Sequence, residues 1–246
     1  MEIKSLSHTS PDELFEAFEQ AFADYEVQLN KAEHLTMFKR RGFNPKASFG
    51  AFDRDKLVSF TCNGIGNFYG VRAAYDTGTG TLKDYQGRGL ATQVFEYSIP
   101  YLRELGIEEY LLEVLQHNTG ALSVYRKLGF EITREFYYFK QKNKQVDRAV
   151  KALDCCYTLK SIKISEYSSI HKFWDFEPSW QNSFEAINNT LKDFICLGVF
   201  LESKLVGYGV FEPVSGDVTQ IAVDKEHRRK GIGSLLFQKM LESNKH

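Results

Sequence analysis

The sequence predicts a mixed α/β protein made of two copies of one domain, and three observations support this fold class. Short segments in which apolar and polar residues alternate predict strands, and apolar positions spaced by three or four predict helices. Both patterns recur in the same order in each half of the 246 residues. The length suits two domains of about 120 residues each. Each copy is therefore expected to form a mixed sheet flanked by helices.

Two collinear matches between the halves of the chain indicate the duplication. Gly50–Val58 shares Gly, Phe, Lys, Leu and Val at the same spacing with Gly198–Val206, 148 residues later. Gln86–Ala91 matches Arg228–Gly233, 142 residues later. The order of the matches favours a duplicated domain over chance similarity between hairpins. The six-residue difference predicts one shorter hairpin or strand in the second copy.

The first copy is predicted to begin with a helix, because Ser10, Pro11 and Glu13 match a capping box with proline at the first helical position. Pro100 lies inside a later helix and is expected to bend or shorten it, while Leu105 is expected to point inward. The other elements predicted for this copy are a hairpin of 47–52 and 57–62, strands over 71–82, 110–115 and 132–140, and helices over 90–105 and 118–129.

The polar, unpatterned stretch 141–148 predicts a linker, so we expect domains at 1–145 and 155–246. The second copy lacks a counterpart of 110–140 and is predicted to be incomplete at its C-terminus, either by nature or because the chain has lost its end. The elements predicted for it are strands over 161–165, 196–200, 205–211 and 217–223 and helices over 183–191 and 231–241.

Composition excludes several classes of protein. Lys and Arg total 31 against 32 for Asp and Glu, which argues against nucleic-acid binding through bulk charge. No apolar run approaches the roughly 20 residues of a membrane span, and the N-terminus does not match a secretory signal. The four cysteines are sparse, which favours a reducing cytoplasmic compartment. Histidines and cysteines show no metal-ligand spacing, so no metal is expected; the oligomeric state stays open.

The stretch 79–91 predicts an anion site, since a strand enters a tight glycine turn that opens a helix. The first N–H groups of a helix lack intrahelical partners, and glycine lets a phosphate approach the backbone closely. A dinucleotide fingerprint requires a third glycine, but Gly87 and Gly89 are followed by Thr92. This mismatch disfavours a nucleotide-dependent oxidoreductase, and no P-loop is present.

Two motifs resemble one family. Gln86–Ala91 and Arg228–Gly233 both resemble the Q/R-x-x-G-x-G/A acetyl-CoA motif of the GNAT N-acetyltransferase superfamily, and their lead-ins resemble its V-x-P-x-Y approach without the proline. Asn118–Phe130 is similar to the family's N-x-x-A-x-x-x-Y-x-x-x-G-F segment. The resemblance covers residues 1–140 completely and 160–246 through the cofactor motif. It implies two tandem GNAT-like acyl-CoA N-acyltransferase domains, the second C-terminally incomplete.

The resemblance implies acetyl-CoA as co-substrate, lying in a V-shaped gap between the strands 71–82 and 110–115. Backbone groups of Thr79–Thr81 would pair with the pantetheine, amides of 88–91 would hold the pyrophosphate, and an N–H near Leu82 or Thr81 would stabilise the oxyanion. The implied cofactor-binding residues are Thr79, Thr81, Leu82, Gln86, Gly87, Arg88, Gly89, Leu90, Ala91 and Asn118, with a possible second cofactor site at Val223, Arg228, Arg229, Gly231 and Gly233.

The resemblance also implies that an amine attacks the thioester directly. Tyr125 is the candidate catalytic acid for the departing thiolate, and its alternative is a half-buried tyrosine that only packs its ring. Asp76 and Glu113 are candidate catalytic bases, although Glu113 could simply face solvent. Chemistry is expected in the first copy, because the second ends before a partner strand or an equivalent of Tyr125.

The acceptor stays open among polyamines, aminoglycosides, amino acids and protein N-termini, so the partner is a small-molecule or peptide amine. The aromatic segment Phe173–Trp180 could form an amine-binding wall or pack in a core. An alternative from another class is a catalytically inactive CoA-binding or scaffold protein. Acceptor-dependent release of free CoA thiol discriminates between an enzyme and a scaffold.

Overall fold

Two units, Met1–Glu135 and Phe136–His246, make up the chain in the computed structural model. The structure describes residues 1–26, 28–142, 146, 156–167 and 169–244. The predicted linker 141–148 lies largely outside the described residues, and so do the expected domain borders at 145 and 155.

The first unit contains a five-stranded sheet whose spatial order follows the chain. Antiparallel pairing joins the first four strands, and the fifth pairs in parallel with the fourth, as a helical crossover requires. The strands are β1 Glu2–Ser5, β2 Phe49–Asp53, β3 Lys56–Phe68, β4 Val71–Thr81 and β5 Glu109–Leu111. The predicted hairpin and the predicted strand over 71–82 are confirmed.

Helices cover both faces of this sheet. They are α1 Pro11–Ala21, α2 Lys31–Arg40, α3 Leu90–Glu104 and α4 Thr119–Lys127. The predicted capping box of α1 is present, and Asn30 and Glu33 form a second one at α2 that the sequence reading missed. α1 and α2 bury Leu14 and Phe38 on one side, while α3 buries Val94 on the other.

Several predicted details are wrong. β5 ends at Leu111, and 132–140 forms no strand; Tyr137, Tyr138 and Phe139 are 82–87% exposed there. A β-prone segment becomes a strand only when a neighbour pairs with it. The expected shortening of α3 at Pro100 does not occur, because buried residues on both sides of it keep the helix packed, while the alternative, a bend, stays a prediction. Leu105, expected to point inward, instead caps the helix end in an exposed position.

The second unit repeats the first four strands as an antiparallel sheet. Its elements are β6 Tyr157–Ser161, α5 Phe184–Asn189, β7 Ile195–Leu201, β8 Lys204–Glu212, β9 Asp217–Val223 and α6 Ile232–Glu242. The strand predicted over 161–165 is misplaced, since β6 pairs with β7 only from Tyr157 to Ser161.

The duplication extends to irregularities of the sheets. The bulge between Ala51 and Phe52 recurs between Val199 and Phe200. A second bulge leaves Thr77 of β4 unpaired, and the corresponding residue of β9, Thr219, is unpaired in the same way. The β8–β9 hairpin is the shorter one, which accounts for the six-residue difference between the sequence matches.

Candidate active site

A gap opens in the first sheet between β4 and β5. Their parallel pairing begins at Ala73 and Glu109 and stops at Tyr75 and Leu111, whereas β4 continues to Thr81. Leu82 N–H donates to Val58 O at 2.9 Å. Because antiparallel hydrogen bonds alternate along a strand, the backbone groups of Thr79 and Thr81 then point away from β3 and toward the gap.

Asp76 lies where the strands separate and accepts three hydrogen bonds. Tyr125 Oη and Thr79 Oγ1 each donate to Oδ2 at 2.8 Å, and Gly78 N–H donates to Oδ1 at 2.9 Å. The neighbouring bulge at Thr77 displaces the register of β4, which leaves Asp76 opposite Asn63. Two predicted catalytic residues, Tyr125 and Asp76, are therefore in direct contact.

The start of α4 fixes the position of Tyr125. Asn118 Oδ1 accepts a hydrogen bond from Ala121 N–H at 3.1 Å, which confirms the predicted cap. Two turns later the ring of Tyr125 packs edge-on against Phe130, with centroids 5.5 Å apart. The phenol is thus held by ring packing as well as by its hydrogen bond.

Burial dominates the electrostatics of the pair. It raises the pKa of the Asp76 carboxyl, while hydrogen bonds from Tyr125, Thr79 and Gly78 and the charge of Arg41 oppose that increase. Burial and then the charge of Asp76 raise the pKa of Tyr125 well above its ordinary value. The phenol of Tyr125 therefore keeps its proton unless another group supplies a new one.

Other titratable side chains lie near this pair. Burial raises the pKa of Tyr75, whose hydroxyl also hydrogen-bonds Glu113. Glu113 itself is exposed and lies just beyond β5. Burial, followed by the charge of Asp76, raises the pKa of the Cys62 thiol and disfavours a thiolate nucleophile there.

The glycine turn has the geometry of an anion cradle. Gly87 and Gly89 have φ values of 73° and 72°, and Gly89 is the N-cap of α3. A Cβ on Gly87 would meet nothing within 4 Å, and one on Gly89 would meet only Gln93 Nε2 at 3.7 Å, so open space lies above the turn. The first N–H groups of α3, from Leu90 onward, have no intrahelical acceptor. These residues fit a pyrophosphate.

Side chains around the turn hold it to the sheet. Gln86 Nε2 donates to Thr81 O at 3.1 Å, and Arg88 Nη2 donates to Asp84 O at 2.7 Å. The N–H of Leu82 is already used by Val58, so this donor, offered by the sequence reading for an oxyanion, is occupied. Thr81 keeps an N–H directed toward the gap.

The loop between α1 and α2 reaches both sides of the gap, which sequence reasoning missed. Asp24 pairs with Lys83 beside the glycine turn at 3.2 Å, and Glu26 pairs with His117 beside the start of α4 at 2.9 Å. Gln28 Nε2 donates to three carbonyls of the same loop. Pairs between exposed side chains of distant segments carry no local sequence signal.

The second unit repeats the turn but not the carboxylate–phenol pair. Gly231 has a φ of 89° at the N-cap of α6, and Arg229 has a φ of 63° where the first unit has Gly87. Arg228 donates to Val223 O, Asp175 and Phe173 O at 2.9–3.0 Å. Val218 occupies the place of Asp76 beside the bulge. Gly233, the last predicted residue of this site, lies in the first turn of α6.

Three of the four aromatic residues in the segment Phe173–Trp180 follow the packing interpretation. Phe173 and Trp174 pack on the core of the second unit, and Trp180 is 6% exposed. Trp174 Nε1 donates to Tyr208 Oη at 2.6 Å. Phe173, Trp174 and Trp180 are therefore used in the core, whereas Phe176 is 72% exposed.

The described residues contain neither a metal-binding cluster nor a membrane-spanning helix. In the ranges described above, no three His, Cys, Asp or Glu side chains are grouped as a metal ion would require. None of the helices in that part of the chain has the length and apolar character needed to cross a membrane.

A sheet that opens between parallel strands beside a glycine turn defines the fold class of the acyl-CoA N-acyltransferases. The model of the acetyltransferase (GNAT) family matches residues 12–130 and 156–245, so the chain belongs to that family. A solved tandem GNAT protein from the clavulanic acid biosynthesis pathway superposes with a TM-score of 0.63 at 13% identity, covering 98% of this chain and 85% of that one. At this identity the likeness concerns the fold alone.

Two curated relatives match part of the chain. The N-alpha-acetyltransferase MAK3 of Arabidopsis thaliana is 32% identical over 116 residues, which are 46% of this chain and 61% of that protein. The probable N-acetyltransferase san of Drosophila melanogaster is 34% identical over 91 residues, 36% of this chain and 50% of that protein. The chain thus spans 50–61% of the length of these relatives.

Proposed function

We propose that the first unit transfers an acetyl group from acetyl-CoA directly to a primary amine, and that a domain of residues 1–145 carries this chemistry. The supporting observation is the 2.8 Å hydrogen bond between Tyr125 and Asp76 at the point where β4 and β5 separate. A half-buried phenol on a buried carboxylate, both with shifted pKa values in a gap, is typical of proton-transfer sites.

Acetyl-CoA, when bound, supplies the acetyl group as a thioester. The N–H groups of 88–91 would hold its pyrophosphate at the start of α3, in the open space above Gly87 and Gly89. Outward backbone groups of Thr79 and Thr81 would pair with its amides, and the N–H of Thr81 is the donor left for the carbonyl oxygen. Asn118 would contact the cofactor from the cap of α4.

Tyr125 would move the proton while Asp76 holds the phenol in place. A lone tyrosine that lost its proton here would leave two buried anions side by side, which costs far more than one. The proton that Tyr125 Oη gives to a departing thiolate would therefore be replaced at once, through water, by the proton that the attacking amine loses, while Asp76 Oδ2 stays the acceptor that orients the phenol. The pair then never carries two negative charges.

Glu113 is the remaining candidate for taking a proton from the amine. Both oxygens of Asp76 already accept hydrogen bonds within the buried network, whereas Glu113 is exposed beyond the last paired residue of β5. An exposed carboxylate can accept a proton from an ammonium group directly or through water.

A peptide N-terminus is the first acceptor to test. The Arabidopsis relative is named as an N-alpha-acetyltransferase, which supports this choice. In the second unit, Val218 stands where the first has Asp76, which supports a non-catalytic role with, at most, cofactor binding at its turn.

Release of free CoA thiol tests the proposal. The full chain is incubated with acetyl-CoA and a panel of peptides, a polyamine, an aminoglycoside and free amino acids. Acceptor-dependent thiol release with one of these classes is expected. Binding of CoA without thiol release in the presence of any amine would instead support the inactive CoA-binding alternative, and no binding of CoA would contradict both.

A further inference from the structure

Arg41, at the C-terminal end of α2, lies close to the carboxylate–phenol pair without belonging to it. Its Nη1 donates to the carbonyl oxygen of Thr77 at 3.0 Å, and its guanidinium lies 5.8 Å from the ring centroid of Tyr75. Thr77 is the bulged residue between Asp76 and Gly78. The guanidinium of Arg41 therefore holds the backbone directly beside Asp76.

The backbone of Arg41 is anchored to β3 on the same side. Ile65 N–H donates to Gly42 O at 3.0 Å, and Asn44 N–H donates to Asn63 O at 2.8 Å. A side chain at position 64 would overlap the carbonyl of Arg41, and Gly64 avoids this clash. The close approach of the end of α2 to β3 fixes the distance between the backbone of Arg41 and the carbonyl of Thr77 that its guanidinium contacts.

We propose that Arg41 is a positioning residue, which holds the bulge at Thr77 so that the carboxylate of Asp76 meets the phenol of Tyr125. The proposal rests on the function proposed above and adds a residue from outside the gap. A bulged residue lacks a regular ladder partner, so a charged donor on its carbonyl is an effective way to fix its position.

The charge of Arg41 adds to this effect. It is the cationic group that lowers the pKa of Asp76 against burial. The other titratable groups facing Asp76 are Cys62 of β3, Tyr75 of β4, Tyr110 of β5 and Tyr125 of α4. All four are neutral when protonated, so they do not substitute for a cation.

Arg41→Met, Arg41→Lys and the control Lys39→Met in the full chain test the proposal. Lys39 is an exposed residue of the same helix end. We expect Arg41→Met to lower kcat about tenfold, as for loss of a charged hydrogen bond. KM for acetyl-CoA should not change, and the acid limb of the kcat–pH profile should move to higher pH. Arg41→Lys should keep the limb near its original pH, and Lys39→Met should change nothing.

A second measurement does not depend on activity. The carboxyl carbon of Asp76, assigned with Asp76→Asn, is titrated by ¹³C NMR in the protein without ligands. Arg41→Met should raise the pKa of Asp76 relative to the unsubstituted chain. An unmoved titration, or an unchanged kcat in both Arg41 variants, would overturn the positioning role. A moved titration in a chain that acetylates no amine would leave it standing while the proposed function fails.

Discussion

Thr77 and Thr219 are the bulged residues of corresponding strands, yet the residue before them is Asp76 in the first unit and Val218 in the second. The glycine turns differ in the same manner, since Gly87 in one corresponds to Arg229 in the other, with similar backbone angles. The comparison teaches that the backbone for holding an anion and the side chains for proton transfer are separable features of this fold.

The largest expected effect separates the two turns. Gly89→Glu places a carboxylate and a left-handed non-glycine residue in the first turn, and Gly231→Glu makes the same change in the second. Both residues have positive φ values, 72° and 89°, so the backbone strain is matched. We expect Gly89→Glu to abolish turnover and acetyl-CoA binding, and Gly231→Glu to keep most turnover. Calorimetric titration and thiol release measure this, and the reverse pattern would place the chemistry in the second unit.

The next effect concerns the phenol. Tyr125→Phe should lower kcat by about 10²–10⁴-fold with little change in acetyl-CoA affinity, because the hydroxyl acts in proton transfer rather than binding. The matched control is Tyr157→Phe, which removes a hydroxyl that contacts His227 in the second unit. Equal activity of Tyr125→Phe and the control would return Tyr125 to a packing role.

A third effect compares the buried histidines. His227 contacts the hydroxyl of Tyr157 at 3.2 Å, whereas neither ring nitrogen of His34 has a hydrogen-bond partner among the described residues. Burial first, and then the charge of Arg41, lowers the pKa of His34 to about 4. Its neutral form is therefore favoured by folding, and this stability is present above pH 6.5 and lost as the pH falls toward 4.

The loss should reach about 3 kcal/mol at pH 4, given an ordinary histidine pKa of 6.5. His34→Leu should flatten this part of the stability–pH curve. Native-state hydrogen exchange in α2 between pH 7.5 and 4.5 measures it, with the exposed His8→Leu as control. A curve as steep in His34→Leu as in the control would contradict the expectation.

The smallest expected effect concerns the side chains that hold the glycine turn of each unit. Arg228→Gln gives the second unit the residue that the first has at Gln86, and it removes the contacts with Asp175 and Phe173 O. Since Arg228 is partly buried, we expect a loss of about 1 kcal/mol, measured by hydrogen exchange in α6. Lys83→Gln breaks only an exposed pair with Asp24 and should change α3 negligibly. Equal losses of stability in the two variants would contradict the expectation that the partly buried contacts of Arg228 stabilise its turn more than the exposed pair of Lys83 does.

Local patterns predicted much of the fold. The capping box at Ser10, the hairpin around 53–55 and the glycine turn each depend on residues close in sequence, and each is present. The end of β5 and the absence of a strand over 132–140 depend on whether a distant segment pairs there. Apolar alternation does not contain that information.

The site was predictable only in part. Tyr125 and Asp76 were chosen separately from a motif and a strand position, and their direct contact requires α4 to lie across the end of the gap. Arg41 follows no motif, because its role depends on where α2 ends relative to a bulge in β4. Irregular pairing in a sheet is a tertiary property, so no spacing rule in the sequence reveals it.

Among the described residues, three pairs join β5 to the sheet, and the whole of α3 lies between β4 and β5 in the chain. Hairpins close short loops, whereas this parallel pair closes a long one. The entropy cost of closing the long loop arises before the contacts of β5 can offset it. We therefore expect β5 and α4 to fold onto the unit last and to exchange their amide hydrogens first. Tyr125 belongs to this late-folding segment. A ligand bound in the gap should therefore slow the local unfolding of α4.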